Sequence, residues 1–258
     1  MGLVRQCSKW LFDSLYADNE ALYRFCRKYV DRYNSDNNDR MQSNGELEFM
    51  RQALQGAHVV FDVGANVGNW VRAALSINPE AEYHCFEPSA ATYRALVNEA
   101  LPSNVKTNNC GLGAKDGEAP LFVFDDGSGT NSLYRREGIG TTQPRRDNIR
   151  LITIDRYCDQ HDIAHVDFVK LDVEGHELAV LHGARRMLSE GRINVVQFEY
   201  GGTYIDARIL LKDIWDYVDE VNQSYSFFKL YPEGLCAIPA YRQTMETFKY
   251  SNWAIRLG

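Results

Sequence analysis

Acidic side chains recur at the ends of short apolar runs along this 258-residue chain. Asp62 closes Val59-Val60-Phe61, Glu87 follows Tyr83-His84-Cys85-Phe86, Asp172 follows Val169-Lys170-Leu171, and Glu199 stands just past Val195-Val196-Gln197. Continuous β-rich runs of this kind suit parallel strands covered on both faces, and such sheets bind ligands beyond the carboxyl ends of their strands. The first run leads into Asp62-x-Gly64-x-Asn66-x-Gly68. The glycines let the backbone turn sharply and approach a ligand, while the amides opening the next helix are free to meet polar atoms.

A dinucleotide fingerprint needs glycines spaced G-x-G-x-x-G so that pyrophosphate can rest on the helix N-terminus. Here Gly64 and Gly68 are separated by three residues, and a carboxylate just before the turn repels pyrophosphate but suits an ammonium or sulfonium group. The Asp-x-Gly-x-Asn-x-Gly segment resembles the S-adenosylmethionine loop of class I methyltransferases. Glu87 at the second strand tip can then accept hydrogen bonds from both ribose hydroxyls; the competing reading is a charge facing the dipole of the helix capped near Ser89. Asn109, opening Asn109-Cys110-Gly111-Leu112-Gly113, marks a third tip where adenine would lie, unless this is a plain glycine turn.

A second stretch, Lys170-x-Asp172-x-Glu174-Gly175-x-Glu177, concentrates acids where a helix begins, which suits the helix dipole and equally a cation. Taken with Ile154-Asp155, His182-Gly183-Ala184 and Phe198-Glu199, it looks like the FkbM family of S-adenosylmethionine-dependent methyltransferases. The resemblance covers residues 46–258 and implies an O-methyltransferase acting on hydroxyls of sugars, nucleotide sugars or glycans, or of natural products. It also implies an α/β three-layer sandwich with a seven-stranded, mostly parallel sheet and one antiparallel edge.

By position, Asp62 and Gly64 face the methionine moiety, Asn66 and Gly68 complete the turn, and Asp172 lies near sulfonium and acceptor. Methyl transfer is an in-line displacement, so alignment does most of the catalysis, with a base needed for an alcohol. Glu174, His176 and Glu199 are the candidates, together with Asp172 as a catalytic carboxylate. Imidazole has the best unperturbed pKa, although family members often carry a small residue at the place of His176. Asp172 and Glu199 could instead hold a divalent ion, but paired carboxylates equally suit sugar hydroxyls, and no metal is expected. A non-catalytic scaffold retaining the fold is the alternative function; an NAD-dependent oxidoreductase lacks the required glycine spacing.

The elements around these residues follow from periodicity. Residues 1–45 form a helical extension, with Leu22, Cys26, Tyr29 and Tyr33 on one helical face, and its aromatics Trp10, Phe12, Tyr16, Tyr23 and Phe25 could roof an active site, dock on a partner subunit such as a second copy of the chain, or simply pack. Helices are expected over 45–55, 69–77, 89–100, 208–222 and one opened by Glu174, Gly175 and Glu177 and running through Leu188; strands over 121–124 and 150–154 flank an insertion at 125–148. That insertion carries Arg135, Arg136, Arg145 and Arg146, read as a mobile lid for an anionic acceptor or as solvated loop charges. The last strands, 225–230 and 253–257, form a hairpin interrupted by Pro232-Glu233-Gly234. A net charge of -7 argues against nucleic acid, six scattered cysteines argue against a zinc site or disulfide framework, and no run is long enough to span a bilayer, so a cytoplasmic protein is expected.

Overall fold

The structure, a computed structural model, describes residues 19–124, 129, 131–136 and 143–258. Helices α1 (Glu20–Tyr33) and α2 (Glu46–Ala53) lead into β1 (Val59–Val63), α3 (Asn69–Ile77), β2 (Glu82–Phe86), α4 (Ala90–Asn98) and β3 (Val105–Asn108). Short β4 (Gly111–Leu112), β5 (Gly117–Val123) and β6 (Arg145–Ile152) form a separate three-stranded sheet. Then come α5 (Ile154–Gln160), β7 (Val166–Leu171), α6 (Glu177–His182), α7 (Arg185–Ser189), β8 (Ile193–Tyr200), α8 (Thr203–Ala207), α9 (Leu211–Val221), β9 (Tyr225–Tyr231), β10 (Gly234–Ile238) and β11 (Ser251–Leu257).

The main sheet has eight strands in the order β10-β9-β11-β8-β7-β1-β2-β3. From β8 to β3 every pairing is parallel; β11 runs antiparallel between β8 and β9, and β10 antiparallel on the outer edge. The expected seven strands become eight because the Pro232-Glu233-Gly234 segment is the turn of a tight β9–β10 hairpin, so the antiparallel β11 is internal.

Side chains on a strand alternate between faces, and each face has its own core. Phe61, Phe86, Val169, Leu171 and Phe198 pack under α5, α6, α7 and α9. Val60, Tyr83, Cys85, Phe168 and Val195 pack under α2, α3 and α4 through Phe49, Met50, Trp70, Val71 and Leu96. On this second face the row nearest the carboxyl edge turns polar, because Asp62, Lys170 and Gln197 are register partners across β1, β7 and β8. All three are buried.

Two expectations change. The helix expected to open at Glu174 begins only at Glu177, after the left-handed Glu174 and Gly175, and it breaks into α6 and α7 at Gly183, where a β-carbon would lie 2.1 Å from the Gly113 carbonyl oxygen, so close packing against the β4 end interrupts it. Residues 145–148 belong to β6: Arg145 pairs with Asp147 at 2.8 Å and Arg146 stacks over Phe122 at 5.2 Å, so neither extends from a loop. On α1, Tyr23, Phe25, Tyr29 and Tyr33 are exposed, while Trp10, Phe12 and Tyr16 lie outside the described residues.

Candidate active site

The turn after β1 uses three left-handed residues, Gly64 (φ 87°), Asn66 (φ 49°) and Gly68 (φ 84°). Backbone amides of Gly64 and Ala65 both donate to the Phe86 carbonyl at 3.0 Å, which ties the β1 turn to the tip of β2. Glu87 completes the tie: its Oε2 accepts from the Asn66 amide at 3.0 Å and its Oε1 from the Ser89 amide at 2.8 Å. Behind it, Asn109 Nδ2 donates to the Glu87 and Pro88 carbonyls at 2.9 and 3.2 Å, so its side chain braces the β2 tip and does not line the cavity. Gly68 caps α3 close to Leu96, also away from the cavity.

These tips border a cavity that Gly129, Asn131 and Leu133 also line. Gly64, Asn66, Glu87, Gly111 and His176 face into it. Burial pushes the Glu87 carboxyl up to about 7. His176 Nδ1 pairs with the Tyr134 hydroxyl at 3.0 Å, and burial lowers the imidazole to about 4, so the ring is neutral. Its Nε2 is buried without a hydrogen-bond partner beside Gly113.

Asp62 opens into the adjoining cleft with Glu46, Trp70, Lys170 and Asp172. It is 1 % exposed, its Oδ2 has no hydrogen-bond partner, and burial raises its carboxyl to about 7. An unpartnered buried carboxylate at a ligand cleft favours an incoming cationic group. That orphaned oxygen, the two-amide hold on Glu87 and the glycine turn fit the ammonium, sulfonium and ribose of S-adenosylmethionine.

A further cleft shares Gly129, Asp172 and Glu174 with the first cavity and continues past Asp39, Arg136, Glu199, Tyr200, Thr203 and Tyr250. Glu174 and Gly175 adopt φ 53° and 98°, forming a turn that precedes α6 and points Glu174 at Arg136, 3.0 Å away. Burial and Asp172 nevertheless raise Glu174 to about 8 against the opposing guanidinium. Lys170 is 2 % exposed, with its ammonium 3.1 Å from Glu199, 3.5 Å from Asp172 and 3.9 Å from Glu46. Burial alone would lower its pKa, but these three carboxylates hold it well above the usual lysine range.

Asp172, Glu174 and Glu199 thus meet at one cleft, whereas His176 faces the first cavity. Glu46, Tyr134 and Tyr250 complete the surroundings without having been singled out by sequence, and Lys170, which opens the Lys170-x-Asp172-x-Glu174 motif, is given no role there by sequence. Lys170 is hidden in an apolar strand run, Glu46 reads as an ordinary acid opening a helix, and no pattern marks Tyr134 or Tyr250.

The chain is 27 % identical over 174 residues to the hexuronic acid methyltransferase AglP of Haloferax volcanii, covering 66 % of this chain and 69 % of that one. It is 22 % identical over 191 residues to the 2-O-methyltransferase NoeI of Sinorhizobium fredii, covering 69 % and 76 %. Among solved structures, the plantazolicin methyltransferase BpumL in complex with SAH is similar over the full length of both chains, at 8 % identity and a TM-score of 0.43. The methyltransferase FkbM domain matches residues 62–226, and the chain belongs to the FkbM family of S-adenosylmethionine-dependent methyltransferases.

Proposed function

We propose that the protein methylates a hydroxyl oxygen of a sugar, nucleotide sugar or glycan. The observation that carries this reading is the continuity of the two clefts: the wall that ends the cofactor cavity, Asp172 and Glu174, begins a larger space lined with carboxylates and tyrosines. Carboxylates accept hydrogen bonds from sugar hydroxyls, and tyrosines offer both a ring face and a hydroxyl. The relatives named for hexuronic acid and 2-O-methyl transfer support the same class.

In this reading residues 46–258 form the methyltransferase domain behind a helical extension at 1–45. Bound S-adenosylmethionine supplies an electrophilic methyl group on sulfur. Asp62 binds its positive end, Glu87 its ribose, and Gly64 and Asn66 its closest approach to backbone. The chain must also align the acceptor oxygen and take its proton. Glu174 and Glu199 stand at the acceptor cleft for that task. His176, neutral and facing Tyr134, serves the cofactor side. Lys170 already places one cation between Asp172 and Glu199.

Calorimetry with S-adenosylhomocysteine, followed by labelled methyl transfer to methyl glycosides of hexoses and hexuronic acids, tests the reading. Binding of the first with transfer to a glycoside is expected. Binding with transfer only to a non-sugar hydroxyl would move the acceptor class, and a folded protein that binds no S-adenosylhomocysteine would favour a scaffold.

A further inference from the structure

The two oxygens of Glu199 are in different circumstances. Oε1 is held twice, by Lys170 Nζ at 3.1 Å and by the Tyr250 hydroxyl at 3.2 Å. No hydrogen bond from a described residue reaches Oε2, and that oxygen is not sealed from the cleft that Glu199 lines.

The donors are themselves fixed. The Tyr250 hydroxyl accepts from Asn252 Nδ2 at 3.2 Å, and Gln197 Nε2 donates to Asn252 Oδ1 at 3.2 Å and to Glu46 Oε1 at 2.7 Å. Glu46 Oε1 lies 3.9 Å from Lys170 Nζ, which closes a ring of polar side chains through α2, β7, β8 and the start of β11. A buried network in which members support one another holds a single geometry more firmly than isolated pairs do. Tyr250 borders both the acceptor cleft and the Asp62 cleft.

We propose that Lys170 and Tyr250 are positioning residues that hold Glu199 by Oε1 and present Oε2 as the proton acceptor for the substrate hydroxyl. This rests on the acceptor reading above. The hydroxyl proton passes to Oε2 while an oxygen electron pair forms the new O–C bond, and the pair of the broken S–C bond remains on sulfur. Glu199 is faced by Lys170 and Asp172 from β7 and its tip, Glu46 from α2, Tyr250 before β11, Tyr204 from α8, and Glu174 and Arg136 across the cleft. Burial and Asp172 raise its carboxyl to about 7 while Lys170 opposes them, which suits a base working near neutral pH.

Carbon-13 titration of the Glu199 carboxyl, assigned with Glu199→Gln and run on protein saturated with S-adenosylhomocysteine, needs no acceptor. Tyr250→Phe and Lys170→Met should each raise the midpoint, by about one pH unit for the lysine variant, and Lys170→Arg should restore it. Unmoved midpoints in folded Tyr250→Phe and Lys170→Met would overturn the proposal. Should Lys170→Met fail to fold, Tyr250→Phe decides alone. On a glycoside acceptor, Glu199→Gln should lower kcat about 10²- to 10⁴-fold with cofactor binding unchanged. In Tyr250→Phe the rise of kcat with pH should move with the carbon midpoint; a profile that stays put while the midpoint moves would remove Glu199 as the base. Absence of S-adenosylhomocysteine binding by the unaltered protein would strike the cofactor reading instead, and titration without it would still decide how Glu199 is held.

Discussion

A β-carbon built on Gly64 would lie 1.9 Å from the carbonyl oxygen of Asp172, so the turn after β1 and the tip of β7 meet backbone against backbone. Gly64 also needs φ 87°. The Gly64→Ala protein should therefore lose about 3 kcal/mol or more of stability, from overpacking and backbone strain together. Urea unfolding checks this; a loss well below 1 kcal/mol would mean that the two tips can part.

Asp62 is expected to select the positive end of the cofactor. Asp62→Ala and Asp62→Asn should weaken S-adenosylhomocysteine binding about tenfold or more, the scale of one charge-assisted hydrogen bond. Without ligand, Asp62→Asn should be at least as stable as the unaltered protein at pH 8, because the native carboxylate is buried with one oxygen unpartnered. Calorimetry and thermal unfolding at the same pH separate the two effects.

Stability of the ligand-free protein should fall as pH rises above neutrality. Asp62, Glu87 and Glu199 are raised to about 7, and Glu174 and Glu177 to about 8, chiefly by burial. A raised group contributes stability that is complete below its unfolded pKa and lost as pH rises through its folded value. Buried His84 and His176 are lowered to about 4 from 6.5, so their contribution is complete above 6.5 and is lost toward 4. Above pH 6.5 only the carboxyl loss remains. The Tm should decline from there to about pH 8.5, and less steeply with S-adenosylhomocysteine bound. A Tm rising across that range would contradict the burial of these groups.

Arg136 joins the acceptor cleft to Glu174 across 3.0 Å. Arg136→Ala should raise acceptor KM about tenfold, the scale of one charged hydrogen bond, and leave S-adenosylhomocysteine affinity nearly unchanged. A matched loss of cofactor affinity would assign the arginine to the first cavity instead.

The parallel half of the sheet was legible in sequence because strands covered on both faces read as apolar runs, and a carboxylate at each tip interrupts that pattern visibly. Asp62, Glu87, Asp172 and Glu199 could be aligned on one edge for this reason. The β10 strand was not legible: Gly234-Leu235-Cys236-Ala237-Ile238 is a half-exposed edge whose burial has no strong alternation. Nor was the start of β6, where Arg145, Arg146 and Asp147 have the composition of a loop but pair with β5. Asn109 shared the glycine-rich tip with Gly111, yet only the fold decides which of the two turns inward. The ring through Glu46, Gln197 and Asn252 joins residues distant in sequence, and local pattern carries no trace of such contacts.

Gly129 borders both clefts, while Asn131 and Leu133 wall the cofactor cavity and Arg136 the acceptor cleft. Ser132, from the same stretch, donates to the Glu174 carbonyl at 2.9 Å, and Tyr134 meets His176 at 3.0 Å. One short stretch of chain therefore serves as the far wall of one chamber and the near wall of the next. A change of side chain along this stretch should therefore be felt in both chambers at once, so that methyl donor and acceptor are not independently tunable from this side.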